Sequence, residues 1–104
     1  MDTLYEIKGS SLIIYAPSEL DHHVAEMITE HTDLFITGNN INKIIFDFKN
    51  TEFMASSGIG VVRGRYKVIR RLGGKGVLRN LNNMVSRIFS VSGIYKLIGE
   101  GNIE

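Results

Sequence analysis

The run Lys43-Ile44-Ile45-Phe46-Asp47-Phe48, its hand-over through Met54-Ala55-Ser56-Ser57-Gly58-Ile59-Gly60, and the helical periodicity from Ile59 to Leu72 constrain this chain most. The first run is apolar on both of its faces, as in a strand covered on both sides or lying at a sheet centre. In the periodic stretch Ile59, Val62, Tyr66 and Ile69 share one stripe, while Arg63, Lys67, Arg70 and Arg71 fall on other faces. A buried strand feeding an amphipathic helix is an α/β unit. Two hydroxyls, Ser56 and Ser57, sit at the junction, where free backbone N–H groups and the helix dipole favour negative charge. A serine there caps a helix, carries a phosphate, or does both.

The flanking sequence extends this unit. Thr3 to Lys8 reads as a strand, Gly9-Ser10 as a turn and Leu12 to Ala16 as a second strand, which together make a hairpin. Pro17 and Ser18 break it. Either Ser18 or Asp21 caps a helix in which Val24, Met27, Ile28, Leu34 and Phe35 recur up to Gly38. Leu72-Gly73-Gly74 ends the central helix, and Gly76-Val77-Leu78 is a short strand. Asn82 or Asn83 caps a third helix with Val85, Ile88, Phe89 and Val91 facing inward, and Gly93 ends it. Ile94 to Ile98 is a last helical turn or a short strand. The order strand-strand-helix-strand-helix-strand-helix predicts an α/β layer with parallel pairs and right-handed crossovers. The 104 residues suit one domain, 1–104.

A net charge of +1 hides an asymmetry. Residues 1–52 hold nine acids and three bases, whereas residues 53–99 hold nine bases and no acid. The nine are Arg63, Arg65, Lys67, Arg70, Arg71, Lys75, Arg79, Arg87 and Lys96. They form either a surface for a charged partner or solvated cationic helix faces. With no Cys there is neither a disulfide framework nor a Cys-based metal site. No leader and no apolar run of membrane-spanning length stands out, so a soluble cytoplasmic protein without membrane contact is expected.

Catalytic signals are thin. No acid–base set accompanies Ser56 in sequence, so no enzyme is expected. Gly58, Gly60 and Gly64 approach a dinucleotide fingerprint, but the third glycine is one residue late and no acid follows at the ribose-binding distance. Gly60 and Gly64 are read instead as close helix-to-sheet packing. His22 and His23 are adjacent and His31 is remote, a spacing unsuited to a metal pair. No cofactor and no metal are expected. The basic half keeps nucleic-acid binding open as a lesser alternative, against which stand the near-neutral total charge and the lack of interleaved aromatics.

A resemblance adds to this reading. Glu19-Leu20-Asp21-His22-His23, the Ile44–Phe48 strand, Phe53-Met54 with Ser56-Ser57-Gly58-Ile59-Gly60-Val61-Val62, Gly64-Arg65-Tyr66-Lys67, Leu72-Gly73-Gly74, Arg87-Ile88-Phe89 and Ser92-Gly93-Ile94-Tyr95-Lys96 resemble the anti-sigma factor antagonists. These are bacterial members of the STAS fold, and the likeness is greatest to their sporulation branch. It implies a mixed sheet of four to five strands with an N-terminal hairpin and three to four helices. It implies a switch whose unphosphorylated form binds an anti-sigma factor that is also a serine kinase and so frees the sigma factor. It places phosphorylation on Ser56, reversal with a PP2C-type phosphatase, and the partner surface on Asp21, Ala55, Ser56, Ser57, Gly58 and Ile59. The family usually has Asp where Ala55 stands, and the sporulation branch continues beyond the position of Glu104. Ala55 favours an alternative, a STAS protein- or nucleotide-binding module that is not a kinase substrate.

Overall fold

The computed structural model describes residues 4–104. In chain order the elements are β1 (Leu4–Lys8), β2 (Ser11–Tyr15), β3 (Glu19–Leu20), α1 (His22–Gly38), β4 (Lys43–Asp47), β5 (Phe53–Met54), α2 (Ser56–Arg71), β6 (Lys75–Arg79), α3 (Asn83–Ser92) and α4 (Ile94–Ile98), then a 3-10 turn at Glu100–Asn102. The hairpin forms as expected, with Leu4 opposite Tyr15 and Lys8 opposite Ser11, while Thr3, the expected start of the first strand, lies outside the described residues. β2, β4 and β6 run parallel, giving a mixed sheet in the order β1-β2-β4-β6. β4 is therefore central, which accounts for its apolar residues on both faces.

The helices pack on the face that carries Leu12, Ile14, Ile44, Phe46 and Leu78, together with Ile28 of α1, Val62 and Ile69 of α2, Phe89 of α3, and Ile94 and Ile98 of α4. Phe48 meets Phe89 edge to face at 5.3 Å between centroids. The opposite face carries Ile13, Ile45 and Val77, one per strand and in register, packed by Tyr15. At the end of that face Asp47 gathers donors: the Lys49 N–H at 2.9 Å, Arg79 Nε and Nη2 at 3.0 Å each, and Asn80 Nδ2 at 3.0 Å. Burial alone would raise the Asp47 pKa, but these donors outweigh it and hold the carboxyl below its ordinary range.

Several inward assignments shift. The buried stripe of α1 is Ala25, Ile28, Thr32 and Ile36, leaving Leu34 at 72% exposure and Met27 at the surface. Thr32 tolerates burial because its hydroxyl donates to the Ile28 carbonyl at 2.6 Å. In α3, Val85 and Phe89 are buried and Ile88 is half-buried, but Val91 faces solvent. Arg65 is buried on α2, its guanidinium paired with Asp33 of α1, so the basic stretch is not one solvated face. Gly60 and Gly64 have open space where a Cβ would stand. Close approach occurs instead at Gly76, where a Cβ would come within 2.6 Å of the Tyr66 ring, and at Gly58. Residues 94–98 resolve as helix rather than strand.

Candidate functional site

Two short strands that sequence patterning did not reveal build the site. β3 and β5 pair in parallel, Glu19 with Phe53 and Leu20 with Met54, as a sheet separate from the main one. Ser18 anchors this ladder by accepting the Glu52 and Phe53 N–H groups at 2.8 and 2.9 Å. The Ala55 N–H then donates to the Leu20 carbonyl at 3.0 Å. Each strand runs directly into a helix, so α1 and α2 start side by side. Asp21 and Ala55, 34 positions apart in the chain, thereby become neighbours as the two N-cap residues.

The two starts differ chemically. Asp21 Oδ1 accepts the Val24 N–H at 2.9 Å, so Asp21 rather than Ser18 is the cap of α1. Ala55 has the same extended backbone, φ −78° and ψ 167°, but no side chain to cap with. Ser56 is consequently the first residue of α2 and not its N-cap, and the helix starts three residues before Ile59. Its first turn holds no acid. The Gly58 N–H donates to the Ala55 carbonyl at 2.9 Å, while the N–H groups of Ser56 and Ser57 ahead of it have no intrahelical acceptor and point the positive end of the dipole outward.

Ser56 is exposed and Ile59 half-buried beside it. The Ser57 hydroxyl is buried and makes no hydrogen bond. Gly58 sits against the β3–β5 ladder: a Cβ there would fall 2.5 Å from Met54 Cγ and 3.1 Å from Leu20 Cδ2. The Ser-Ser-Gly order thus has a mechanical reading. The first residue faces solvent, the second turns inward, and the third lets α2 seat on the ladder. Phe53, 52% exposed on β5, flanks the site; from sequence it entered only as part of the family motif and was not assigned to the partner surface.

Two of the three histidines have ordinary partners. His22 lies 2.9 Å from Glu26, and His31 Nδ1 meets the Tyr5 hydroxyl at 3.0 Å. Among the described residues no group of three metal-ligating side chains converges, and no helix is long and apolar enough to cross a membrane.

Comparison with known proteins gives a consistent result. Residues 3–104 match the STAS domain family. The anti-sigma F factor antagonist of Paenibacillus polymyxa is 38% identical over 87 residues, covering 84% of this chain and 74% of that protein. Among solved structures, the anti-sigma factor antagonist SpoIIAA in its unphosphorylated form superposes with a TM-score of 0.86 at 28% identity, over 98% of this chain and 85% of the other. The phosphorylated form of SpoIIAA, a Bacillus cell fate determinant, gives 0.80 at 27% identity over 98% and 88%.

Proposed function

The chain belongs to the STAS domain family, and on that premise we propose that it is an anti-sigma factor antagonist switched by phosphorylation of Ser56. The carrying observation is the exposed Ser56 hydroxyl at the uncapped start of α2, held beside Asp21 by the β3–β5 ladder. The protein acts as a substrate and a binding surface rather than as an enzyme. Its partner is an anti-sigma factor that is also a serine kinase, and a PP2C-type phosphatase resets it.

The physical consequences are specific. The γ-phosphoryl group of ATP passes to Ser56 Oγ, the hydroxyl proton is lost and ADP leaves. The product carries about −1.5 to −2 charge at neutral pH. At a helix start this charge meets unpaired N–H groups and a favourable dipole, so the domain accommodates it. The penalty falls on the partner surface of Asp21, Ala55, Ser56, Ser57, Gly58 and Ile59, through bulk and through repulsion of any carboxylate facing it. Burial of the Ser57 hydroxyl directs the kinase to Ser56.

Incubation with the cognate anti-sigma kinase and ATP, followed by intact mass and site mapping, tests this. One phosphate on Ser56 is expected. Ser56→Ala should bind the kinase and stay unmodified, and Ser56→Asp should bind at least about tenfold more weakly. Failure of the unmodified protein to bind the kinase sinks the proposal. Binding without phosphorylation selects a constitutive binding module instead, the reading that Ala55 favours.

A further inference from the structure

β1 closes one edge of the main sheet, and among the described residues no strand pairs with its outer side. Which groups aim that way follows from β2. The Ser10 carbonyl accepts the Asn42 N–H, and the Ala16 N–H donates to the Asp47 carbonyl, both at 2.9 Å. The even-numbered residues of β2 thus turn their backbone groups to β4. The odd-numbered ones, Ser11, Ile13 and Tyr15, turn theirs to Lys8, Glu6 and Leu4 of β1. That leaves the N–H and C=O groups of Tyr5 and Ile7 pointing off the edge. Such a row is a template for another strand.

The helix beside this edge is apolar on its outer flank. The Tyr5 ring meets His31 and Phe35 of α1, with centroids 5.5 and 5.1 Å apart, so that flank runs along β1. The other flank of α1 is held to α2 by the pairing of Asp33 with Arg65. Met27 and Leu34 share a stripe with His31, at helical spacing, and both are exposed. Ile7 lies on the same face of the sheet as Tyr5 and is 39% exposed. Glu6 and Lys8 project from the opposite face. Glu6 Oε1 accepts the Tyr15 hydroxyl at 2.7 Å, and Oε2 lies 3.7 Å from Lys8 Nζ.

We infer that a second copy of this chain pairs here, β1 antiparallel to β1 about a two-fold axis. The outward groups of Tyr5 and Ile7 restrict the register, because odd-numbered residues must oppose odd-numbered residues. With Tyr5 opposite Ile7, Glu6 would face its own copy, a repulsive contact. With Tyr5 opposite Tyr5, Glu6 would face Leu4. With Ile7 on the axis, each Glu6 faces Lys8 of the second copy and each Lys8 faces its Glu6, a square of alternating charge. That register satisfies every charge on the edge. The two Ile7 side chains then meet on the helix-bearing face, with the outer flanks of the two α1 helices, Leu34 included, drawn together above them. A five-residue edge falls short of the ~1,200 Å² that a stable interface buries, so the α1 flanks carry a share of the contact. The product is one continuous sheet with all helices on one face. About 1.5 Å per residue puts roughly 20 Å of α1 between Asp21 and Leu34, so both copies keep the Ser56 surface open.

Sedimentation equilibrium of the whole chain tests this without any partner. The mass should rise with concentration from 11.6 kDa toward twice that value. Glu6→Lys and Lys8→Glu should each weaken association at least about tenfold, because each sets like charges opposite one another at two places. An equimolar mixture of the two variants should restore it, since every cross-strand pair is then opposite in charge, and misfolded chains cannot produce that rescue. Leu34→Ala should weaken association several-fold. Amide shifts in ¹⁵N spectra on dilution should cluster at Ile7, Lys8 and Leu34 and spare Ser56. A mass that stays at 11.6 kDa up to millimolar concentration overturns the proposal. So do a mixture that remains monomeric, dilution shifts on another face, or a Leu34→Ala protein that associates as before. An Ile7 amide that shifts only when the anti-sigma kinase is added also overturns it, since the occupant is then a strand of that partner.

Discussion

Two helices start side by side in this molecule, and they are finished differently. α1 is closed by Asp21, whose carboxylate takes the N–H of the third helical residue. α2 starts from Ala55, with the same extended backbone and no side-chain acceptor for its leading amides. The β3–β5 ladder fixes both, so local geometry does not explain the difference. The open start is the one that presents the exposed serine, while the closed start supplies a fixed negative charge beside it. A helix terminus left uncapped forgoes about 1 kcal/mol, and keeps its amides available to an incoming anion.

The contrast is broken most severely at its shared support. Gly58→Val should destabilise the protein by about 3 kcal/mol, because its side chain must displace Met54 and Leu20; a lowered urea midpoint measures it. If the midpoint does not move, the ladder is not the seat of α2. Asp21→Ala removes the existing cap and should cost about 1 kcal/mol by the same measurement. Ala55→Asp supplies the missing cap and should raise stability by roughly 0.5–1 kcal/mol, making the two starts alike. Ser57→Ala should change stability by less than about 0.5 kcal/mol, or raise it slightly, because the hydroxyl it removes is buried without a partner.

The parts of this architecture that repeat with a period were legible in the sequence. The hairpin, β4, the amphipathic α2, the start of α3 at Asn82 or Asn83 and its end at Gly93 all follow from alternation, stripes and caps, and the structure settles that start on Asn82. β3 and β5 did not, since two residues hold no period and their identity lies in a partner far along the chain. For the same reason the neighbourhood of Asp21 and Ala55 was not derivable from spacing and came only with the family resemblance. The start of α2 was set late because Ser-Ser-Gly contributes nothing to an apolar stripe. Arg65 looked like one more surface base, and only the approach of α1, with Asp33, gives its buried guanidinium a counter-charge. Gly60 and Gly64 drew attention by spacing alone, while Gly58, in the middle of the motif, has the contacts.

The ladder under the site is also the smaller of the two sheets, two strands of two residues each. Two residues per strand leave few hydrogen bonds to break, whereas the central strands are hydrogen-bonded on both sides and buried. Local openings draw first on such thin elements. The amides of Phe53 and Ala55 should therefore exchange with solvent deuterium well before those of Ile44 and Phe46. Warming or mild denaturant should then separate Asp21 from Ser56 while the main sheet is still intact, so that binding through the proposed surface should be lost at a lower temperature than the fold.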